Sequence, residues 1–167
     1  MESIITFFII AAVIITLVVI TITIYNKMVT LKNELNYNFQ RLQDVINAKF
    51  DAARLFYNSC YMINPNEFFH LNELVSNYNL VVGVDAVINA SLELDKELKR
   101  IIAMMDKNSI NNWLIRYNDL NMKMAVARDN YNNNVLKFNN YINMVPINFI
   151  SGLFGFMPWS YFRNDDL

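Results

Sequence analysis

The chain has 167 residues and a formal net charge of −1, with one cysteine and three each of glycine and proline. A lone cysteine excludes an intrachain disulfide, and the lack of a basic stripe that could neutralise a run of phosphates argues against nucleic acid as a partner. Charged residues make up 17% of the chain, below the usual quarter, so asparagine must supply much of the polar surface, and so few breakers favour long helices.

The 21 residues from Ile4 to Ile24 carry no charge. At about 1.5 Å per residue they span roughly 31 Å as a helix, the thickness of a hydrocarbon core. Thr6, Thr16, Thr21 and Thr23 can bond back to the helix, whereas a lone strand could not satisfy its backbone in lipid. A cleaved signal peptide would show a basic start and a small-residue cleavage site. Here Glu2 precedes the run and Tyr25-Asn26-Lys27 follow it. The expectation is an uncleaved single-pass anchor over 1–24, in contact with the lipid bilayer of the cell membrane. Lys27, Lys32 and Arg41 follow the helix and no basic residue precedes it, so the positive-inside rule puts the N-terminus outside and the remainder in the cytoplasm.

From Tyr25 to about Met62 there is no proline or glycine. Leu31, Leu35, Phe39, Leu42, Ile46, Phe50, Ala53 and Tyr57 recur at three- and four-residue spacing, one apolar stripe on a helix. This helix is expected to continue the membrane segment without a break, over about 57 Å. Asn64 is a candidate cap, with Pro65 at the first position of the next helix. Phe68, Leu71, Val75 and Tyr78 form a short stripe. Val84, Val87, Ser91, Leu94, Leu98, Ile101 and Met105 form another that is out of phase with it, so a break near Gly83 should separate helices over about 66–80 and 84–105. After a turn at 106–109, a last helix runs from about Ile110 to Met144. Its seam is Ile110, Trp113, Tyr117, Leu120, Met124, Ala127, Tyr131, Val135, Phe138 and Ile142, and Pro146 stops it. The aromatic residues in these seams read as core.

The soluble part is thus a helical bundle over 25–145, followed by a tail over 146–167. The stretch from Phe149 to Phe162 is too broken by glycine and proline for a helix of this type, and too apolar to be a solvated tail. It either plugs the bundle end or docks to lipid headgroups, a neighbouring copy or another protein through Gly152, Leu153, Phe154, Gly155, Phe156, Pro158, Trp159 and Phe162.

Several motifs carry a resemblance. Tyr25-Asn26-Lys27-Met28-Val29-Thr30-Leu31-Lys32-Asn33 follows the apolar run. Ala127-Arg128-Asp129-Asn130-Tyr131-Asn132-Asn133-Asn134-Val135 is followed by Phe138-Asn139. Pro146 precedes Gly152-Leu153-Phe154-Gly155-Phe156-Met157-Pro158 and then Phe162. These resemble the YN-x-LV-x-LRN opening, the AR-x-x-YN-x-x-V-x-x-YN run and the P-x-N-x-I-A-GLFGF-x-P close of the LemA family of bacterial membrane proteins. The middle departs from the family's RR-x-DLIPNLV, since Arg54-Leu55 stand where its Pro-Asn pair falls. The resemblance implies an all-α, LemA-like antiparallel four-helix bundle behind an N-terminal transmembrane helix. It carries no settled activity.

Catalysis needs convergent groups of tuned acidity. His70 is the only histidine, so histidine-based metal sites and Ser-His or Cys-His arrangements lack partners within one chain. Cys60 reads as a small packed residue, and three glycines hold no phosphate-cradling fingerprint. Glu93, Asp95 and Glu97 read as a solvated face. No cofactor, metal or catalytic residue is expected, and the chain does not read as an enzyme. Arg128, beside the aromatic seam, could fix register by pairing with Asp51 or with neighbours of Asp129. Two functions fit. One is a structural scaffold that self-associates at the membrane as a homo-oligomer. The other is an adaptor that presents or regulates another membrane protein, such as a protease or a transport machine.

Overall fold

A computed structural model describes residues 1–60 and 65–163. The described chain is all-α: α1 (Glu2–Cys60), α2 (Phe69–Asn77), a 3-10 turn (Tyr78–Leu80), α3 (Val84–Met104), α4 (Asn111–Asn143) and α5 (Ile147–Leu153). Its described residues divide into two compact units, residues 1–37 with 133–159, and residues within 38–132 with 160–163.

The helices follow the breakers. Neither α1 nor α4 contains a glycine or proline, and their lengths are what that freedom permits. Gly83 stands before α3 with φ +99°, in a region open to glycine, and its carbonyl accepts the amide of Val87 at 3.0 Å. The expected break is there. Two boundaries differ from expectation. Pro65 does not open a helix: residues 65–68 form a turn and α2 begins at Phe69. The reason is a competing bond, because Arg100 takes the Glu67 carbonyl at 2.7 Å and ties the turn to α3. The expected cap Asn64 lies outside the described residues. The second stretch then tightens to 3-10 geometry at Tyr78–Leu80 instead of remaining α-helical to 80.

In the first unit, none of residues 2–24 is buried, and this part of α1 is long and apolar enough to cross a membrane. The hydroxyls of Thr6, Thr16, Thr21 and Thr23 each donate to the carbonyl four residues back, at 2.8–3.0 Å, which satisfies them without water.

The second unit is an antiparallel four-helix arrangement. Phe39 meets Tyr131 while Phe56 stacks on Trp113, so α1 and α4 run in opposite directions. Tyr78 bonds Asn47 while Phe68 meets Phe56, which sets α2 against α1. The seams are the core: Leu42, Ile46, Phe50 and Ala53 of α1, Leu71 and Val75 of α2, Val87, Leu94, Leu98 and Ile101 of α3, and Tyr117, Leu120, Met124 and Tyr131 of α4 are buried. Each such side chain contributes about 1.5–3 kcal/mol. A nine-residue helix such as α2 is marginal alone, and Leu71 and Val75 are the side chains it buries.

Two charged side chains among the described residues are buried with the core, Lys49 and Glu97. The Lys49 ammonium donates to Asp95, which also accepts from the Tyr117 hydroxyl at 3.0 Å. The ammonium also lies 5.5 Å from the centre of the Tyr117 ring. Glu97 accepts two bonds from Arg100, at 2.7 and 3.0 Å, and Arg100 reaches on to Glu67 at 3.0 Å. The solvated face expected for Glu93, Asp95 and Glu97 is thus corrected at two positions. Asp95 and Glu97 turn toward partners that the spacing along one helix could not reveal.

Burial lowers the Lys49 pKa below the ordinary lysine value, against the opposing pull of Asp95. Removal of Asp95 would strand an ammonium in the core, whereas removal of Lys49 leaves a carboxylate with Tyr117 and solvent. Asp95→Ala should therefore cost about 3 kcal/mol and Lys49→Met about 1 kcal/mol. The double variant should melt close to Lys49→Met alone. Equal damage from the two single changes in thermal melts would overturn this assignment.

Burial, reinforced by Asp95 beside Tyr117 and by Asp85 beside Tyr131, pushes both phenols above the usual tyrosine range. Their folded values lie above the unfolded one, so this contribution is full below about pH 10 and is lost as pH rises through the folded values. Lys49, lowered in the fold, acts in the opposite sense below about pH 10.5. Tyrosinate absorbance followed beside helicity should show a late fraction of phenols that ionises only as helix is lost. Complete ionisation in a chain of unchanged helicity would contradict the burial of these two side chains.

Candidate interaction site: the C-terminal segment and its clamps

The segment after α4 begins with a short helix where the sequence reads as unsuited to a long one. Pro146 precedes α5, in the place where a missing amide costs nothing. The Ser151 hydroxyl, buried, donates to the Ile142 carbonyl at 2.9 Å and holds α5 against the end of α4. The helix then closes in a Schellman turn. The Phe156 amide donates to the Ser151 carbonyl at 2.9 Å and the Gly155 amide to the Gly152 carbonyl at 3.3 Å. Gly155 has φ +70°, the left-handed conformation this turn requires. The Gly-Leu-Phe-Gly-Phe sequence is thus a helix end followed by a stop.

The turn delivers its aromatics to defined places in the first unit. Phe154 lies 5.0 Å and Phe156 5.9 Å from the Tyr25 ring, centre to centre. Phe156 also meets Phe138 at 6.4 Å, and the Lys32 ammonium lies 5.7 Å from its ring centre.

Beyond the turn the chain is neither helix nor strand through Arg163, so its backbone needs other partners. In the first unit, the Asn139 side chain supplies them to Trp159. Its carbonyl accepts the Trp159 amide at 2.9 Å and its amide donates to the Trp159 carbonyl at 2.8 Å. In the second unit, Asn132 does the same for Phe162, at 2.8 and 2.9 Å, and the Tyr131 hydroxyl donates to the Ser160 carbonyl at 2.7 Å. Phe162 is buried.

Of the residues singled out for interaction, Phe154, Phe156, Trp159 and Phe162 are engaged within the chain as described, and Leu153 is exposed. Gly152 and Pro158 are exposed. The register pair is corrected: Asp51 pairs with Arg54 at 3.6 Å, and Arg128 with Asp129 at 3.5 Å. The antiparallel register explains this. Trp113 of α4 bonds the Ala52 carbonyl, next to Asp51, and Arg128 lies 15 residues further along α4, about 22 Å of helix. His70 is exposed, 3.7 Å from Glu73, and Cys60 is buried.

Asn132 and Asn139 were not singled out, yet a signal was present. Each follows an aromatic seam residue, Tyr131 or Phe138, and the pair repeats at seven. These are the two aromatic–asparagine steps of the motif that carries the resemblance, and each now has a task. The aromatic goes into the seam and the asparagine holds the returning chain.

The LemA family model matches residues 23–166. The chain belongs to the LemA family. No curated protein and no solved structure matches it. The match runs through the middle, so the Arg54-Leu55 departure lies inside a LemA domain. There the Arg54 guanidinium donates to the Val75 carbonyl at 3.3 Å, joining α1 to α2. Family and apolar helix together fit a membrane-anchored protein.

Each clamp satisfies one donor and one acceptor of the LemA tail. Asn132→Ala and Asn139→Ala should each cost about 1–2 kcal/mol. Each should raise amide hydrogen exchange at its own partner, Phe162 or Trp159, while the α3 amides stay protected. Unchanged exchange at both partners would show that the tail is held by its side chains alone.

Proposed function

We propose that this LemA protein is a membrane-anchored structural protein that self-associates laterally, with its soluble part in the cytoplasm. One observation supports the reading above others. In the second unit, the outward side of α4 carries Ile115, Met122 and Val126, each more than 60% exposed. They sit at i, i+7 and i+11, one face of a helix. Beside Met122 and Val126 a groove of about 470 Å³ opens between α1 and α4, lined also by Arg41, Val45 and Lys123.

Anchoring makes such a face effective. Copies held in one membrane share orientation and height, and their effective concentration is high, so a modest apolar contact suffices for assembly. Chemistry finds less support, because the buried charges Lys49 and Glu97 are both engaged by neighbours within the fold. The reading of the protein as a non-enzyme scaffold rests on that balance.

Light scattering of the full-length protein in mild detergent, with detergent mass subtracted, tests the proposal. A large discrete oligomer that Val126→Glu reduces to smaller species is the expected result. A monomer or dimer unaffected by that change would overturn self-association and favour an adaptor bound to a different membrane protein.

A further inference from the structure

The first unit contains both the membrane-crossing part of α1 and α5 with the Schellman turn. The apolar run of α1 ends at Ile24, the next residue is Tyr25, and the first charge after the run is Lys27. Tyr25 is the residue against which Phe154 and Phe156 pack. The C-terminal segment therefore lies level with the point where α1 leaves the apolar layer, the level that aromatic side chains favour.

The composition of that segment is unusual for a soluble surface. No Asp, Glu, Lys, Arg or His stands between Lys137 and Arg163. Its inward side is consumed by Phe138, Tyr25 and the Ile142 carbonyl, as described. Outward it presents Val145, Phe149, Leu153 and Met157, exposed by 76, 74, 79 and 75%, beside exposed Met144 and the neutral Asn143 and Asn148. Phe149 and Leu153 lie one helical turn apart, on one face of α5. Large apolar side chains at that exposure in water are costly as a group.

We infer that α5 and the turn after it form a second membrane contact, an interfacial one. Val145, Phe149, Leu153 and Met157 enter the boundary between headgroups and acyl chains beside α1. The occupant of this surface is the bilayer itself, for two reasons: the surface adjoins the transmembrane run through Tyr25, and it carries no charge for which a soluble partner could select. A short helix held flat by its own fold needs only a few apolar side chains to hold that position, since α1 already supplies the anchoring free energy. The inference rests on α1 crossing the membrane and not on self-association.

The test uses the full chain with Cys60→Ser, reconstituted in phosphatidylcholine–phosphatidylglycerol vesicles at high lipid-to-protein ratio. Spin labels are placed through Leu153→Cys or Phe149→Cys, both at exposed positions that tolerate change. Val13→Cys serves as the membrane reference and Lys107→Cys, in an exposed turn, as the aqueous one. Power saturation then compares access of oxygen, which concentrates in lipid, with that of a water-soluble nickel chelate. The expected result at Leu153 and Phe149 is oxygen access above the Lys107 position, with nickel access at least about threefold below it, as for residues at the acyl boundary. Nickel access equal to that at Lys107 would place the segment in water and overturn the inference. Protection from both reagents that disappears on further lipid dilution would assign the surface to a second copy instead, and would also overturn it. Lipid contact in a preparation that proves monomeric would leave the inference standing while self-association falls.

Discussion

Register is the constraint on which the second unit depends. Its seams of leucine, isoleucine and aromatic side chains supply most of the burial, but such seams are nearly degenerate, and sliding by a heptad exchanges one apolar neighbour for another. A few polar bonds remove the degeneracy. The Trp113 indole donates to the Ala52 carbonyl at 2.9 Å, Tyr78 to Asn47 at 2.7 Å, and Lys49 to Asp95. After a slip, each leaves a donor facing apolar side chains, at a cost of about 1–3 kcal/mol for a neutral group and more for an ammonium. Arg100 performs the same task for the turn before α2, by gathering Glu97 and both the side chain and carbonyl of Glu67. Burial energy condenses the helices, and the polar bonds choose among the ways of condensing.

The returning chain poses the same problem in its backbone. Residues 156–163 have neither helix nor ladder to satisfy their amides and carbonyls. An asparagine side-chain amide is neutral and short and offers a donor and an acceptor side by side, so it can stand in for a neighbouring strand. Asn132 and Asn139 each do so for one residue.

Periodicity made the seams readable, since it reports which face of a helix is apolar. Leu42, Ile46, Phe50, Leu94, Leu98, Tyr117 and Tyr131 were all legible on that basis and all are buried. The break at Gly83 was legible because two stripes fell out of phase. Partners across helices were not legible, because spacing fixes a face and says nothing of the height at which two faces meet. Asp51 and Arg128 both lie near seams, yet the Trp113–Ala52 bond sets them far apart along the pair. Lys49 was passed over for the same reason: a lysine beside a stripe looks solvated until Asp95 and Tyr117 are known to face it. In the tail, the glycines were visible as breakers, but their service as a helix stop depends on a short α5 that the composition disguised.

The two units also use different kinds of polar group. In the second, the ionised side chains Lys49, Asp95, Glu97 and Arg100 share the specifying with neutral bonds such as Trp113 to Ala52 and Tyr78 to Asn47, and they are tolerable because each is paired. In the first, the segment from Phe138 to Trp159 is itself uncharged and is held by Ser151, Asn139, the backbone bonds of a Schellman turn and aromatic edges, with the Lys32 ammonium over Phe156 as a charged contact from α1. Neutral groups that satisfy one another internally keep their strength when water is scarce, whereas an ion pair placed near lipid carries a desolvation cost that pairing alone does not repay. A segment packed on Tyr25, at the end of the apolar run of α1, is where that cost would arise. The absence of charge there follows from the surroundings that the anchor imposes, and it leaves apolar side chains as the means by which this part of the molecule meets its environment.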